Sequence, residues 1–69
     1  MKEFSQRLKR ARMDEGMTQS QMAEALGIPF TTYRNYETRG AAGREPDLAM
    51  LSKIADVLGV TVDFLLGRS

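Results

Sequence analysis

The chain contains no cysteine and no histidine among its 69 residues. Disulfides, thiolate metal sites and imidazole metal sites are therefore excluded. No apolar run approaches the roughly 18 residues needed to span a bilayer. The opening MKEFSQRLKRAR lacks the continuous apolar stretch of a signal peptide, so the expected location is the cytoplasm, without a membrane partner. A glycine-rich phosphate loop is also missing. No pair of carboxylates shares a helix face away from the core, because Asp14 and Glu15 are adjacent and point in different directions. An enzyme, a cofactor and a small-molecule ligand are accordingly not expected. Strand patterning is absent too: Val60 to Val62 is too short, with Gly59 and Asp63 flanking it.

What remains is one short domain, residues 1–69, with no internal repeat or low-complexity tract. A chain of this length buries only about 60% of the surface its unfolded form exposes, and a core of this size supplies a margin of about 3–5 kcal/mol. The formal net charge is only +1, but it is unevenly spread. Lys2, Arg7, Lys9, Arg10 and Arg12 stand against Glu3 in residues 1–12, and Arg34, Arg39 and Arg44 against Glu37 in residues 34–44; the remaining segments are acidic. Two basic blocks could meet in a fold, or could be an unevenly charged solvated surface.

Apolar spacing and punctuation divide the chain into five helical segments, an all-α class. Phe4, Leu8 and Ala11 form one face of residues 2–14, and Gly16 follows as a stop. Thr18 and Gln21 fit a capping box ahead of Met22, Ala23 and Leu26, which Gly27 ends. Ile28 and Pro29 open a short helix over residues 29–38, proline being suited to a first helical turn. TRGAAGRE reads as a surface loop. Asp47 caps a fourth helix with a stripe of Leu48, Leu51, Ile54, Ala55 and Leu58, stopped by Gly59; Thr61 caps a last helix with Val62, Phe64, Leu65 and Leu66.

Two short helices joined by a tight glycine turn, here ALGIP, are the core of a helix-turn-helix, although other small bundles share those packing needs. Tyr33 and Tyr36 fall about 60° apart on the third segment at 100° per residue, which predicts that they face the core. Thr31, Arg34, Asn35 and Thr38 then lie outward, with Phe30 at the edge and Thr32 on the flank. Asparagine can pair with adenine and arginine with guanine, while Phe or a Thr methyl can meet a thymine methyl. The competing reading of each is an ordinary solvent residue. Upstream, the free N–H groups after Thr18 and the amide of Gln19 suit an anion such as a phosphate.

The run LKRARMDEGMTQSQMAEALGIPFTTYRNYE, followed by REPDLAMLSKIADVLGVTVDFLLG, resembles the Cro/cI-type (XRE-like) repressor family and is similar to lambdoid phage repressor DNA-binding domains. Its most specific parts are GMTQ, MAEALGI, Tyr36-Glu37, EPDL and LGVTVDFLLG. The resemblance covers residues 4–67. It implies a five-helix lambda-repressor-like bundle with helices 2 and 3 as the helix-turn-helix, and a transcriptional regulator, a repressor, that binds double-stranded DNA with helix 3 in the major groove. It implies base contacts from Phe30, Thr31, Arg34 and Asn35, and a structural ion pair between Arg12 and Glu37. Arg12 also lies at the edge of the Phe4–Leu8–Ala11 face; its alternative role is a free phosphate ligand. Gln19, Thr32, Arg39, Arg44 and Arg10 make up the expected phosphate set.

Two departures stand out. Phe30 replaces the polar or amide residue common at its position, which favours a thymine methyl contact over a hydrogen bond. The loop from Thr38 to Glu45 is longer than the family's usual link, so Arg39 and Arg44 could follow phosphates, enter the minor groove or stay solvated. Proteins of this kind bind as dimers on half-sites about one helical turn apart. Residues 61–66 could supply that homodimer surface, although Phe64 and Leu65 also suit the core. The alternative function is an antitoxin or coactivator-like protein-interaction module on the same fold, which an apolar outer face on the third helix would favour.

Overall fold

The computed structural model describes residues 2–38 and 46–68, apart from the Lys2 side chain. Those residues form five helices and no strand: α1 (Lys2–Asp14), α2 (Gln19–Leu26), α3 (Phe30–Thr38), α4 (Leu48–Leu58) and α5 (Val62–Leu65). The starts of α2, α4 and α5 are each fixed by a side chain that accepts an otherwise unpaired amide. Thr18 Oγ1 accepts from Gln21 N while Gln21 Oε1 accepts from Thr18 N, a complete capping box; Asp47 and Thr61 accept from Met50 N and Phe64 N. Pro29 lies just ahead of α3 rather than inside it, and its carbonyl accepts from Tyr33 N. It still suits that place, because its missing N–H is not needed there.

The turn between α2 and α3 depends on Gly27, which adopts φ 69° and ψ 32°. In that left-handed conformation the Ile28 amide reaches back to Ala23 O at 3.0 Å, closing the end of α2. A Cβ at Gly27 would meet nothing within 4 Å, so the cost of a side chain there is conformational rather than steric crowding. Gly27→Ala is expected to lower stability by about 1–2 kcal/mol, measured as a fall in the urea midpoint with an unchanged m-value. Gly59 repeats the device after α4, at φ 67°.

The core gathers Phe4, Leu8 and Ala11 from α1, Met22, Ala23 and Leu26 from α2, Tyr33 and Tyr36 from α3, Leu51, Ile54, Ala55 and Leu58 from α4, and Leu65 from α5. α1 packs on α3 and α5, α2 packs on α3 and α4, and α4 packs on α5. Ile28 and Phe64 pack on the core from partly buried positions, and the Arg7 guanidinium lies over the Phe64 ring at 5.3 Å from its centroid.

Leu48 departs from the expected stripe: it is 74% exposed. It is the first residue of α4 and stands one turn ahead of Leu51, where the helix has not yet reached the bundle. Periodicity alone cannot show where along a helix its packing begins.

Candidate nucleic-acid interface

The orientation of α3 follows from three inward residues. Tyr33, Tyr36 and Glu37 are its buried side chains. The two tyrosine rings meet edge to face, 6.3 Å between centroids at 76°, a favoured aromatic geometry. Ser5 Oγ on α1 donates to Tyr36 O at 2.7 Å in a buried bond, and this ties the backbone of α3 to α1. Rotation of α3 about its axis would break these contacts together.

The opposite side of α3 faces solvent. Thr31, Arg34 and Thr38 are exposed, Asn35 and Thr32 are half-buried, and Phe30 is 44% exposed. Thr38 Oγ1 donates to Arg34 O at 3.0 Å, a local bond common for threonine within helices. The helix therefore presents a bidentate cation, an amide, three threonines and one aromatic ring on its outward side.

Behind that face lies a buried polar cluster around Glu37, whose side chain is 1% exposed. Arg12 Nε donates to Glu37 Oε2 at 2.7 Å and Arg12 Nη2 to Oε1 at 3.2 Å. Arg12 Nη1 donates to Met17 O at 2.7 Å. Tyr33 OH donates to Oε2, and Gln19 Nε2 donates to Oε1 at 3.0 Å. A single carboxylate on α3 thus joins α1 and the first residue of α2, and through Arg12 the cluster reaches the turn before α2.

The electrostatics of the cluster follow from those bonds. Burial by itself pushes the Glu37 carboxyl up, but hydrogen bonds from Arg12, Tyr33 and Gln19 outweigh burial and hold it below the ordinary carboxylate value. The bond to Glu37 raises the Arg12 guanidinium further, against desolvation. Burial first, and then the bond to Glu37, raise the Tyr33 phenol well above its ordinary value, so it stays a neutral donor.

A carboxylate depressed in the folded state stabilises the fold fully above its unfolded value, and that contribution disappears as pH falls through the folded value. Wild-type stability is therefore expected to drop as pH is lowered below the ordinary carboxylate range. Replacing Arg12 and Glu37 together with methionine removes this contribution and should flatten the acid limb, read from urea midpoints between about pH 5 and pH 2.

Of the other expected phosphate ligands, Arg10 is exposed on α1. It shares a shallow surface cavity with Glu3, Gln6, Arg7 and Phe64. Arg39 and Arg44, with the whole loop 39–45, lie outside the described residues. Sequence reasoning did not find the Ser5 and Tyr33 hydroxyl bonds, nor the bond from Lys53 Nζ to Leu26 O at 3.1 Å that closes the carboxyl end of α2. A serine on an apolar helix face was the one available signal for the first; the lysine gave none.

A family model described as helix-turn-helix matches residues 8–65. The chain belongs to this helix-turn-helix family. It is 46% identical over 63 residues to the SPbeta prophage-derived uncharacterized HTH-type transcriptional regulator YonR of Bacillus subtilis (strain 168), covering 91% of this chain and 56% of that protein. It is 38% identical over 65 residues to the cryptic phage CTXphi transcriptional repressor RstR of Vibrio cholerae, covering 94% and 55% respectively. With the HTH-type transcriptional regulator ImmR of Bacillus subtilis it shares 40% identity over 65 residues, covering 94% and 49%. This helix-turn-helix chain spans about half the length of these relatives. Two of them carry a phage origin in their names, in keeping with the phage-repressor likeness of GMTQ and LGVTVDFLLG. Among the described residues, no helix is long and apolar enough to cross a membrane.

Proposed function

We propose that the chain binds double-stranded DNA sequence-specifically as part of a transcriptional regulator, a repressor, with α3 in the major groove. The observation that carries this reading is the split character of α3. Tyr33, Tyr36 and Glu37 are buried while Thr31, Arg34 and Asn35 reach solvent to differing degrees, on a helix that follows a tight turn. Arg34 pairs with guanine and Asn35 with adenine; Phe30 and Thr31 offer apolar contact to a thymine methyl. Gln19, Thr32, Arg10, Arg39 and Arg44 hold phosphates, setting register and affinity rather than sequence. Two copies on adjacent half-sites form the working unit, with residues 61–66 at or near their contact, in the cytoplasm. The chain acts by binding and not by catalysis.

Selection of bound duplexes from a random pool tests the reading directly: an enriched motif repeated in two half-sites about one helical turn apart is expected. Arg44→Ala should weaken all sequences alike and reduce the slope of log affinity against log salt by about one unit. Recovery of no motif in dilute buffer, together with capture of a protein partner through Phe30, would replace this reading with a protein-interaction module.

A further inference from the structure

Glu37 does more than complete an ion pair. Arg12 and Tyr33 approach its carboxylate from α1 and α3, as core groups that need a partner. Gln19 differs from both. It is the first residue of α2, it is only partly buried, and its Nε2 donates to Glu37 Oε1 at 3.0 Å. A primary amide has two N–H donors, and the second of these has no acceptor among the described residues. Because the amide is planar, fixing one N–H on an immobile carboxylate also fixes the direction of the other. A glutamine that must be ordered on binding loses about 0.5–1.5 kcal/mol of side-chain freedom at that moment. Here that ordering is made during folding, by an acceptor that is itself held by three other donors.

We propose that Glu37 is a positioning residue for DNA binding, holding the Gln19 amide so that its outward N–H meets a phosphate oxygen of the duplex. The proposal rests on the DNA-binding reading above and adds a second role for the buried carboxylate. Glu37 touches no phosphate. It acts through Gln19, and so links the sequence-reading helix to the phosphate contact at the start of α2.

The test compares Gln19→Ala in two backgrounds, with the full chain and the duplex it selects. One background is native. The other is Arg12→Met/Tyr33→Phe/Glu37→Met, which replaces the polar cluster with apolar groups of similar size, an exchange that buried ion pairs often tolerate. Gln19→Ala should weaken binding about tenfold in the native background, the size expected of one hydrogen bond to a charged group. In the apolar background it should cost about one- to fivefold, and the salt slope should be unchanged throughout because no exposed cation is lost. Arg12→Met/Tyr33→Phe/Glu37→Leu, a second apolar filling that also leaves no buried charge and no acceptor for Gln19, supplies the same comparison should the first triple variant fold poorly.

In the absence of DNA, the Gln19 side-chain amide should be ordered in the native chain, and its NMR order parameter should fall below about 0.6 once Glu37 is replaced. Equal cost of Gln19→Ala in all backgrounds, or an already mobile amide in the native chain, overturns the proposal. If no duplex is selected the DNA-binding reading fails as well; an ordered Gln19 amide in the same sample shows that the failure lies there and not in the hydrogen bond.

Discussion

Glu37→Ala is expected to leave about half of the domain or less folded at room temperature. The substitution removes an acceptor used by four donor groups: two nitrogens of Arg12, the Tyr33 hydroxyl and the Gln19 amide. Arg12, with a side chain only 11% exposed, is left as a nearly buried cation without its counter-charge. Removing one partner of such a pair costs about 3–5 kcal/mol, against a total margin of about 3–5 kcal/mol for a core this small. The two figures are equal within their spread, so the folded fraction should fall from nearly all to about half or less. A thermal melt should show the transition moved down by about 15 °C or more, at about 4–8 °C per kcal/mol for a domain of this size.

The control separates charge from packing. Arg12→Met/Tyr33→Phe/Glu37→Met leaves no buried charge and keeps apolar volume in place; the half-buried Gln19 amide and the Met17 carbonyl lose their partners but can turn to water, so it should melt close to the native temperature. If Glu37→Ala instead melts within a few degrees of native, water or a shifted Arg12 must be satisfying the cation, and the cluster does not bear on stability in this way.

Most of the frame was legible because it rests on local chemistry. A capping threonine with glutamine three residues on, or a glycine after a run of helix formers, acts within a single turn and needs no tertiary information. The start of α2 and the ends of α2 and α4 could be read that way. The inward turn of Tyr33 and Tyr36 followed from periodicity, because no other large apolar residues compete for the inner side of α3. Leu48 failed for the complementary reason. Its spacing suits the stripe, but whether a neighbouring element covers the first turn of α4 is a question of tertiary geometry. The bond from Lys53 to Leu26 O is illegible in the same sense, since it joins residues 27 apart in sequence through a side chain whose composition-level reading is merely surface charge. The Gln19 amide lies between these cases. Its position at the start of a helix signalled an anion contact, whereas its bond to Glu37 required knowing that α3 returns its last turn to the start of α2.

The second large effect concerns sequence readout. Arg34→Ala/Asn35→Ala is expected to abolish discrimination between the selected duplex and a scrambled one while leaving the fold intact. Neither side chain belongs to the core: Arg34 is exposed and Asn35 half-buried. Alanine is the best helix former, so α3 should lose no stability, and the melting temperature should stay within a few degrees of native. Binding should change far more. Each bidentate pairing with a base edge contributes about 1–3 kcal/mol of discrimination, so the pair together accounts for about 2–6 kcal/mol, a fall of roughly 30-fold to more than 10⁴-fold in preference for the selected site. Because the residues are neighbours that read adjacent bases, their separate losses need not sum to the joint one. Non-specific affinity should fall much less, and the salt slope should change little, because Arg34 is assigned to a base and the slope counts neutralised phosphates. Competition titrations with labelled selected duplex and unlabelled scrambled duplex measure both quantities. A preference that persists in the folded double variant would mean that the groove is read by another surface, because α3 would retain its place in the bundle without the side chains assigned to the bases.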